Sequence, residues 1–157
     1  MVEEGKTAPD FELRDSEGNL IKLSNFKGKI VILYFYPKAL TSGCTKEAQD
    51  FRDHYEEIKK LGAEVIGISG DKVEIIKKFK EKESLPFILL EDEGFKVSEE
   101  YGVYKQKSMY GKKYMGIERS TFIIDENGIV RKAMRKVKVP NHVKEVIEEI
   151  KKMRGEK

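Results

Sequence analysis

From residue 29 to residue 36 the chain reads Lys-Ile-Val-Ile-Leu-Tyr-Phe-Tyr, apolar at successive positions rather than at alternate ones. A strand with that pattern must be covered on both faces, which places it at the centre of a sheet. Pro37 ends it. Over residues 45–61 the period changes: Ala48, Phe51, Tyr55, Ile58 and Leu61 recur every three or four positions, the mark of one buried helical face, and Gly62 supplies the stop. The alternation then repeats, with a strand over 64–69, a helix over 72–82, a short strand near 87–90 and a brief helix around 95–101. Strands over 120–124 and 129–134 flank Asp125-Glu126-Asn127-Gly128, whose Asn-Gly pair is the strongest short hairpin signal. A last helix follows Pro140-Asn141, with Val143, Val146, Ile147, Ile150 and Met153 on one face. Near the start, Phe11 and Leu13 lead into a Gly-containing turn at 15–19, and Leu20, Ile21 and Leu23 follow it as the return strand of a hairpin.

Strand and helix alternate, so the class is α/β. The order of elements is that of a thioredoxin-like fold, a mixed central sheet flanked by helices, with an N-terminal β-hairpin extension. No repeat, linker or low-complexity stretch interrupts the 157 residues, so a single domain is expected over 1–157. The charge adds little direction: 31 Lys+Arg less 28 Asp+Glu leaves +3, with both signs interspersed. With 39% hydrophobic residues against 38% charged the chain is globular rather than disordered. The longest apolar run is far too short for a membrane span, and residues 1–10 carry no signal-peptide core, so a soluble, cytoplasmic protein is expected. Few cysteines, no tryptophan and many Lys and Glu lean toward the composition of proteins from hot environments.

The single cysteine, Cys44, excludes an intrachain disulfide and a four-ligand Cys/His zinc site. It lies in Pro37-Lys38-Ala39-Leu40-Thr41-Ser42-Gly43-Cys44-Thr45-Lys46-Glu47, the link between the central strand and the first long helix. In open α/β sheets such strand-to-helix links carry the ligand sites. Cys44 falls in the helix's first turn, where unpaired backbone N–H groups and the dipole favour an anion such as a thiolate. An ordinary thiol is only about 3% thiolate at neutral pH, whereas helix starts and cationic neighbours raise that fraction greatly. Thr41, three residues earlier, is within reach to donate to the sulfur or to an oxygen arriving there. Cys44, Ala48 and Phe51 share a helical stripe, so the sulfur should face inward and be partly shielded.

Each of these residues also has a plainer reading. A lone cysteine is most often a small buried hydrophobe. His54 lies ten residues along the helix, about 15 Å from the cysteine, and His142 opens another helix, so a Cys-His hydrolase is disfavoured. Arg119 precedes the apolar strand at 120–124; by pattern alone it reads as a solvated arginine at a strand end. The basic and aromatic stretch over 105–114 could suit single-stranded nucleic acid, but at +3 overall a solvated loop is the reading adopted.

These residues resemble the peroxiredoxin family, in particular its peroxiredoxin Q or bacterioferritin comigratory protein branch. The family's Pro-x-x-x-Thr-x-x-Cys signature is met by Pro37, Thr41 and Cys44, with Glu47 at the acidic position that often follows. Residues 108–125 are close to a second branch signature, and Val137-Lys138-Val139-Pro140 resembles another. The resemblance, running from about residue 5 to residue 150, implies a thioredoxin-like fold and reduction of hydrogen peroxide or small organic hydroperoxides without metal or cofactor. It implies that Cys44 is the peroxidatic thiolate, that Thr41 and Arg119 hydrogen-bond the sulfur and the peroxide, that Pro37 shields the pocket and that Glu47 orients Arg119. Two positions depart from the branch: Ser42 stands where many members have proline, and Gln49 where many have a resolving cysteine. An external thiol reductant, such as a thioredoxin-like protein, is therefore expected as partner, with no nucleic acid or membrane, and a monomer or weak homodimer. The competing expectations are a thiol-disulfide oxidoreductase, weakened by the missing Cys-x-x-Cys pair, and a non-catalytic binding domain with a structural cysteine.

Overall fold

The computed structural model describes residues 2–155. Strands β1 (Glu12–Asp15), β2 (Leu20–Lys22), β3 (Ile30–Phe35), β4 (Ala63–Ser69), β5 (Ile88–Glu91), β8 (Ser120–Ile124) and β9 (Val130–Met134) form one sheet in the order β2-β1-β5-β4-β3-β8-β9. β3 runs parallel to β4 and antiparallel to β8, and β4 runs parallel to β5, so the sheet is mixed. Its centre is β3, every residue of which is buried, as expected of a strand apolar at consecutive positions. Alternation divides these residues and the adjoining Tyr36 between two cores: Ile30, Ile32, Tyr34 and Tyr36 enter one, and Val31, Leu33 and Phe35 the other. This is the period-two geometry of a strand used on both faces.

The first core is roofed by α1 (Ser42–Asp53), α2 (Tyr55–Lys60), α3 (Val73–Lys82) and α5 (His142–Met153). The second is closed by α4 (Lys96–Glu100) and the N-terminal segment through Val2, Ala8 and Phe11. The N-terminal hairpin is present as expected and pairs through β1 with the edge of β5.

Two expectations are corrected. The helix expected over 45–61 is broken at His54 into α1 and α2. There the imidazole Nδ1 bonds the Asp50 carbonyl at 2.8 Å while the backbone bond to the same oxygen stretches to 3.3 Å. A side chain competing for an i−4 carbonyl is an established cause of a kink. Second, the stretch over 105–114 is no loop: β6 (Tyr104–Met109) and β7 (Lys112–Ile117) form a separate two-stranded hairpin in register over six pairs. Its turn residues Tyr110 and Gly111 both take positive φ, 52° and 78°, as a two-residue primed turn requires. The hairpin is tied at its base, where Tyr104 stacks on Phe95 with ring centroids 4.5 Å apart.

One close approach sets the first core. The Tyr34 ring lies against Gly67 of β4, so a Cβ there would stand 2.9 Å from Tyr34 and 2.8 Å from Leu89. Gly67→Ala therefore overpacks the sheet's centre. It is expected to lower the calorimetric melting temperature by roughly 2–12 °C; an unchanged midpoint would show that Tyr34 can move aside without cost.

Candidate active site

β3 ends at the sheet edge where the chain turns into α1, and β8, its antiparallel neighbour, starts there. Register pairs Phe35 with Ser120, so Arg119 stands opposite the end of β3, beside the start of α1. Arg119 and Cys44, 75 residues apart in sequence, thus meet at one point. The backbone of Arg119 is fixed by Val137, whose N–H donates to the Arg119 carbonyl at 2.9 Å.

Thr41 is the N-cap of α1, and Ser42, Gly43 and Cys44 form its first turn. The first helical bond runs from Thr45 N–H to the Thr41 carbonyl at 2.9 Å, which leaves the three earlier N–H groups facing out of the helix start. The loop before it is held by Asp71: one carboxylate oxygen accepts from Ala39 N–H at 2.7 Å and from the Ser69 hydroxyl at 2.8 Å. Leu40 takes a left-handed φ of 66° on the way into the helix.

Cys44 is 2% exposed, with Ala48 and Phe51 buried below it on the same stripe. Arg119 Nη2 donates to its sulfur at 3.4 Å, and Nη1 donates to Glu47 Oε1 at 2.6 Å. The arginine side chain is only 15% exposed and the Glu47 side chain 0%, so the solvated-arginine reading from pattern alone is overturned. Gly43 permits the approach, since a Cβ there would lie 3.2 Å from Arg119 Nη2. Thr41 differs from expectation: its hydroxyl donates to the Lys38 carbonyl at 2.7 Å rather than to sulfur. Pro37 is half-buried between Tyr36 and this loop.

Burial pushes the Glu47 carboxyl up to about 7, and the Arg119 guanidinium pulls it back only in part. Glu47 Oε2 and the hydroxyls of Tyr34 and Tyr36 are, among the described residues, the buried side-chain polar atoms without a hydrogen-bond partner. Both phenols are pushed well up by burial and feel the charges of Glu47 and Cys44. Neither tyrosine was singled out from sequence, where both counted as core; the only available signal was two hydroxyl-bearing side chains, i and i+2, in an otherwise wholly apolar strand. The Lys107 ammonium on β6 feels the site's charges: burial lowers it below the usual range, Arg119 adds to that, and Cys44 and Glu118 oppose it. His142 is near but uncharged. Burial, helped by Arg119, takes it down to about 4, and its Nε2 shares a 2.8 Å hydrogen bond with the Thr121 hydroxyl. His54 is engaged at the helix break. Among the described residues no group of three His, Cys, Asp or Glu side chains is placed to hold a metal ion.

A seven-stranded mixed sheet with helices over both faces, and a lone thiol where its central strand feeds a helix, is a thioredoxin-like domain. Residues 5–133 match the AhpC/TSA family, and the chain belongs to it, in the peroxiredoxin Q/Bcp branch. It is 52% identical over 152 residues to peroxiredoxin Bcp of Bacillus subtilis, covering 97% of each chain. It is 46% identical over 138 residues to peroxiredoxin Bcp of Escherichia coli, covering 88% of each. Among solved structures, a cysteine-to-serine variant of Xylella fastidiosa PrxQ superposes with a TM-score of 0.93 at 32% identity, covering 98% of each chain. The Xanthomonas campestris bacterioferritin comigratory protein, described for alkyl peroxide reduction, superposes with a TM-score of 0.87 at 38% identity over 91% of each chain.

The Glu47 environment has a consequence for stability. Between its ordinary 4.5 and about 7, the folded chain keeps a proton on Glu47 that the unfolded chain has released. The stability this contributes is fully present below the lower value and is lost as pH rises through the upper one. Chemical denaturation from about pH 5 to about pH 8 is expected to show Glu47→Gln gaining on the wild type as pH rises. Parallel curves would show that Glu47 titrates as in the unfolded chain.

Proposed function

We propose that Cys44 is the peroxide-attacking thiolate of a thiol-dependent peroxidase, with Thr41, Arg119, Pro37 and Glu47 completing its site within one domain spanning residues 1–157. The observation that carries this reading is the donation of Arg119 Nη2 to Cys44 Sγ at 3.4 Å, in a family whose members near this chain are named peroxiredoxins. Membership makes the chain a thiol-dependent peroxidase; hydrogen peroxide and small organic hydroperoxides are the substrates the site suits, because Cys44, only 2% exposed, admits only a slender oxidant.

In the reaction the sulfur attacks the peroxide oxygen that carries hydrogen. The S–O bond forms as the O–O bond breaks, and that hydrogen passes to the departing oxygen, which leaves as water or an alcohol. Sulfur loses two electrons and Cys44 becomes a sulfenate. Negative charge spreads over sulfur and two oxygens during this step, so donors already fixed in place stabilise it without reorganising. Arg119 and the N–H groups at the start of α1 are such donors. Thr41 has committed its proton to Lys38, so toward the peroxide its hydroxyl is an acceptor for the O–H that must be aligned. Pro37 has no N–H and covers one side. Glu47 holds Arg119 from behind, at 2.6 Å.

Recycling needs a thiol from outside. At the position where many branch members carry a resolving cysteine, Gln49 instead donates through Nε2 to Glu83 at 2.8 Å. The sulfenic acid then condenses with an external thiol, releasing water, and a second thiol of the reductant frees Cys44 with formation of the reductant's disulfide. A thioredoxin-like dithiol protein fits these requirements, in a reducing compartment such as the cytoplasm. A second copy's Cys44 does not, because two sulfurs buried at helix starts cannot meet without unfolding both; we infer a monomer or a weak homodimer. A thiol-disulfide oxidoreductase would need a second thiol in the chain.

One equivalent of hydrogen peroxide is therefore expected to give a monomer that dimedone labels at Cys44 and that a small thiol restores. Cys44→Ser should be unlabelled, folded and inactive. Near-complete disulfide dimer on non-reducing electrophoresis would replace the external route with an intermolecular one.

A further inference from the structure

We propose that the β6–β7 hairpin is the docking face for the protein that reduces oxidised Cys44, and that this partner presents an acidic surface with an apolar centre around its own thiols. The proposal rests on the peroxidase reading and adds to it where the reductant binds and what chemistry selects it.

The hairpin's composition departs from the rest of the chain. Residues 104–117 contain Lys105, Lys107, Lys112 and Lys113 and no acidic residue, although the whole chain carries only +3. Of the six large hydrophobic side chains that stand exposed among the described residues, Met109, Tyr110, Tyr114 and Met115 lie on this hairpin, and a fifth, Leu40, lies in the loop that leads to Cys44. Lysines alone would blunt the two free edges of an isolated hairpin against unwanted pairing. That accounts for the charge and leaves the apolar groups between the lysines unexplained.

Register supplies the orientation. Lys107 pairs with Tyr114, Met109 with Lys112 and Lys105 with Gly116, so these side chains share one face. β7 ends at Ile117, two residues before Arg119, whose Nη2 lies 3.4 Å from the Cys44 sulfur. The base of this basic and apolar platform therefore stands beside the site. At its tip, Tyr110 is 98% exposed at a φ of 52°, a position where asparagine or glycine would serve the turn at lower conformational cost. An exposed aromatic ring kept at such a position serves contact better than folding.

The occupant follows from charge and from chemistry. Lys105, Lys107 and Lys112 on that face attract an acidic surface, and a basic rim accelerates encounter with one. Met and Tyr between them offer adaptable apolar contact. The chain has one cysteine, so each turnover requires a foreign thiol to reach this place, and the surface bordering the sulfur is where a protein carrying that thiol must rest.

The experiment measures hydrogen peroxide turnover by wild type, Lys105→Glu/Lys112→Glu and Tyr110→Asn, driven either by an acidic thioredoxin or by dithiothreitol. Asparagine suits the turn, so the third protein keeps the fold while removing the ring. With dithiothreitol all three should turn over alike. With thioredoxin the charge variant should show a KM raised about tenfold and a weaker dependence on salt, and the turn variant a raised KM with unchanged salt dependence. Wild-type thioredoxin kinetics in both variants would overturn the proposal, and binding of a fluorescent single-stranded oligonucleotide lost in the charge variant would then assign the face to nucleic acid. Absence of turnover in wild type with dithiothreitol would overturn the peroxidase reading itself, and the docking face with it.

Discussion

The guanidinium of Arg119 holds the Glu47 carboxylate with one nitrogen and the Cys44 sulfur with another, in a place that water barely reaches. Burying an ion pair costs desolvation that the attraction between the charges does not reliably return. Here one carboxylate oxygen has no hydrogen-bond partner among the described residues, and burial outweighs the arginine in setting the carboxyl's proton affinity. A packed apolar trio would suit stability better. What the ionic arrangement provides is a donor whose position is set before any peroxide arrives, aimed at the atom where charge develops.

The rest of the molecule supplies the frame for that contact. β3 carries the chain to the start of α1, antiparallel pairing with β8 delivers Arg119 to the same edge, and the stripe of Cys44, Ala48 and Phe51 seats α1 on Tyr34 and Tyr36. At Gly43, Gly67 and Gly70 the absence of a side chain lets parts come close: the first admits the guanidinium, the second the Tyr34 ring and the third the Phe95 ring. Asp71 and Val137 act from a distance, each by a single hydrogen bond or two to the backbone of the loops that hold Leu40 and Arg119. The similarity of residues 137–140 to a branch signature acquires a physical reason in that contact.

Legibility in sequence followed how strongly burial shapes each segment. β3 and the inward stripe of α1 were readable because both are packed wholly against a core, so hydrophobic period and structure coincide. Residues 105–114 read as a loop because the hairpin they belong to stands outside the main sheet, exposes Lys and Ser where a buried face would need apolar residues, and so loses the period-two signal. The break at His54 depends on one side chain capturing one carbonyl, which no periodicity records. Arg119 and Glu47 were placed by family resemblance alone: a charged residue at a strand end and another in a helix are ordinarily solvated, and only the pairing of distant segments turns them inward. Thr41 was identified, but the acceptor of its proton was not, since that lies in the turn's geometry.

The coupling between Glu47, Arg119 and Cys44 is most directly tested by a double-mutant cycle on a single chemical step. Stopped-flow rates of Cys44 oxidation by hydrogen peroxide, with no reductant present, would be compared for wild type, Glu47→Gln, Arg119→Ala and the double variant. If Glu47 acts by holding Arg119, the double variant should be as slow as Arg119→Ala alone, which itself should lose about 100- to 1000-fold. Losses that simply multiply would contradict the account, showing that the carboxylate and the guanidinium act on the sulfur independently.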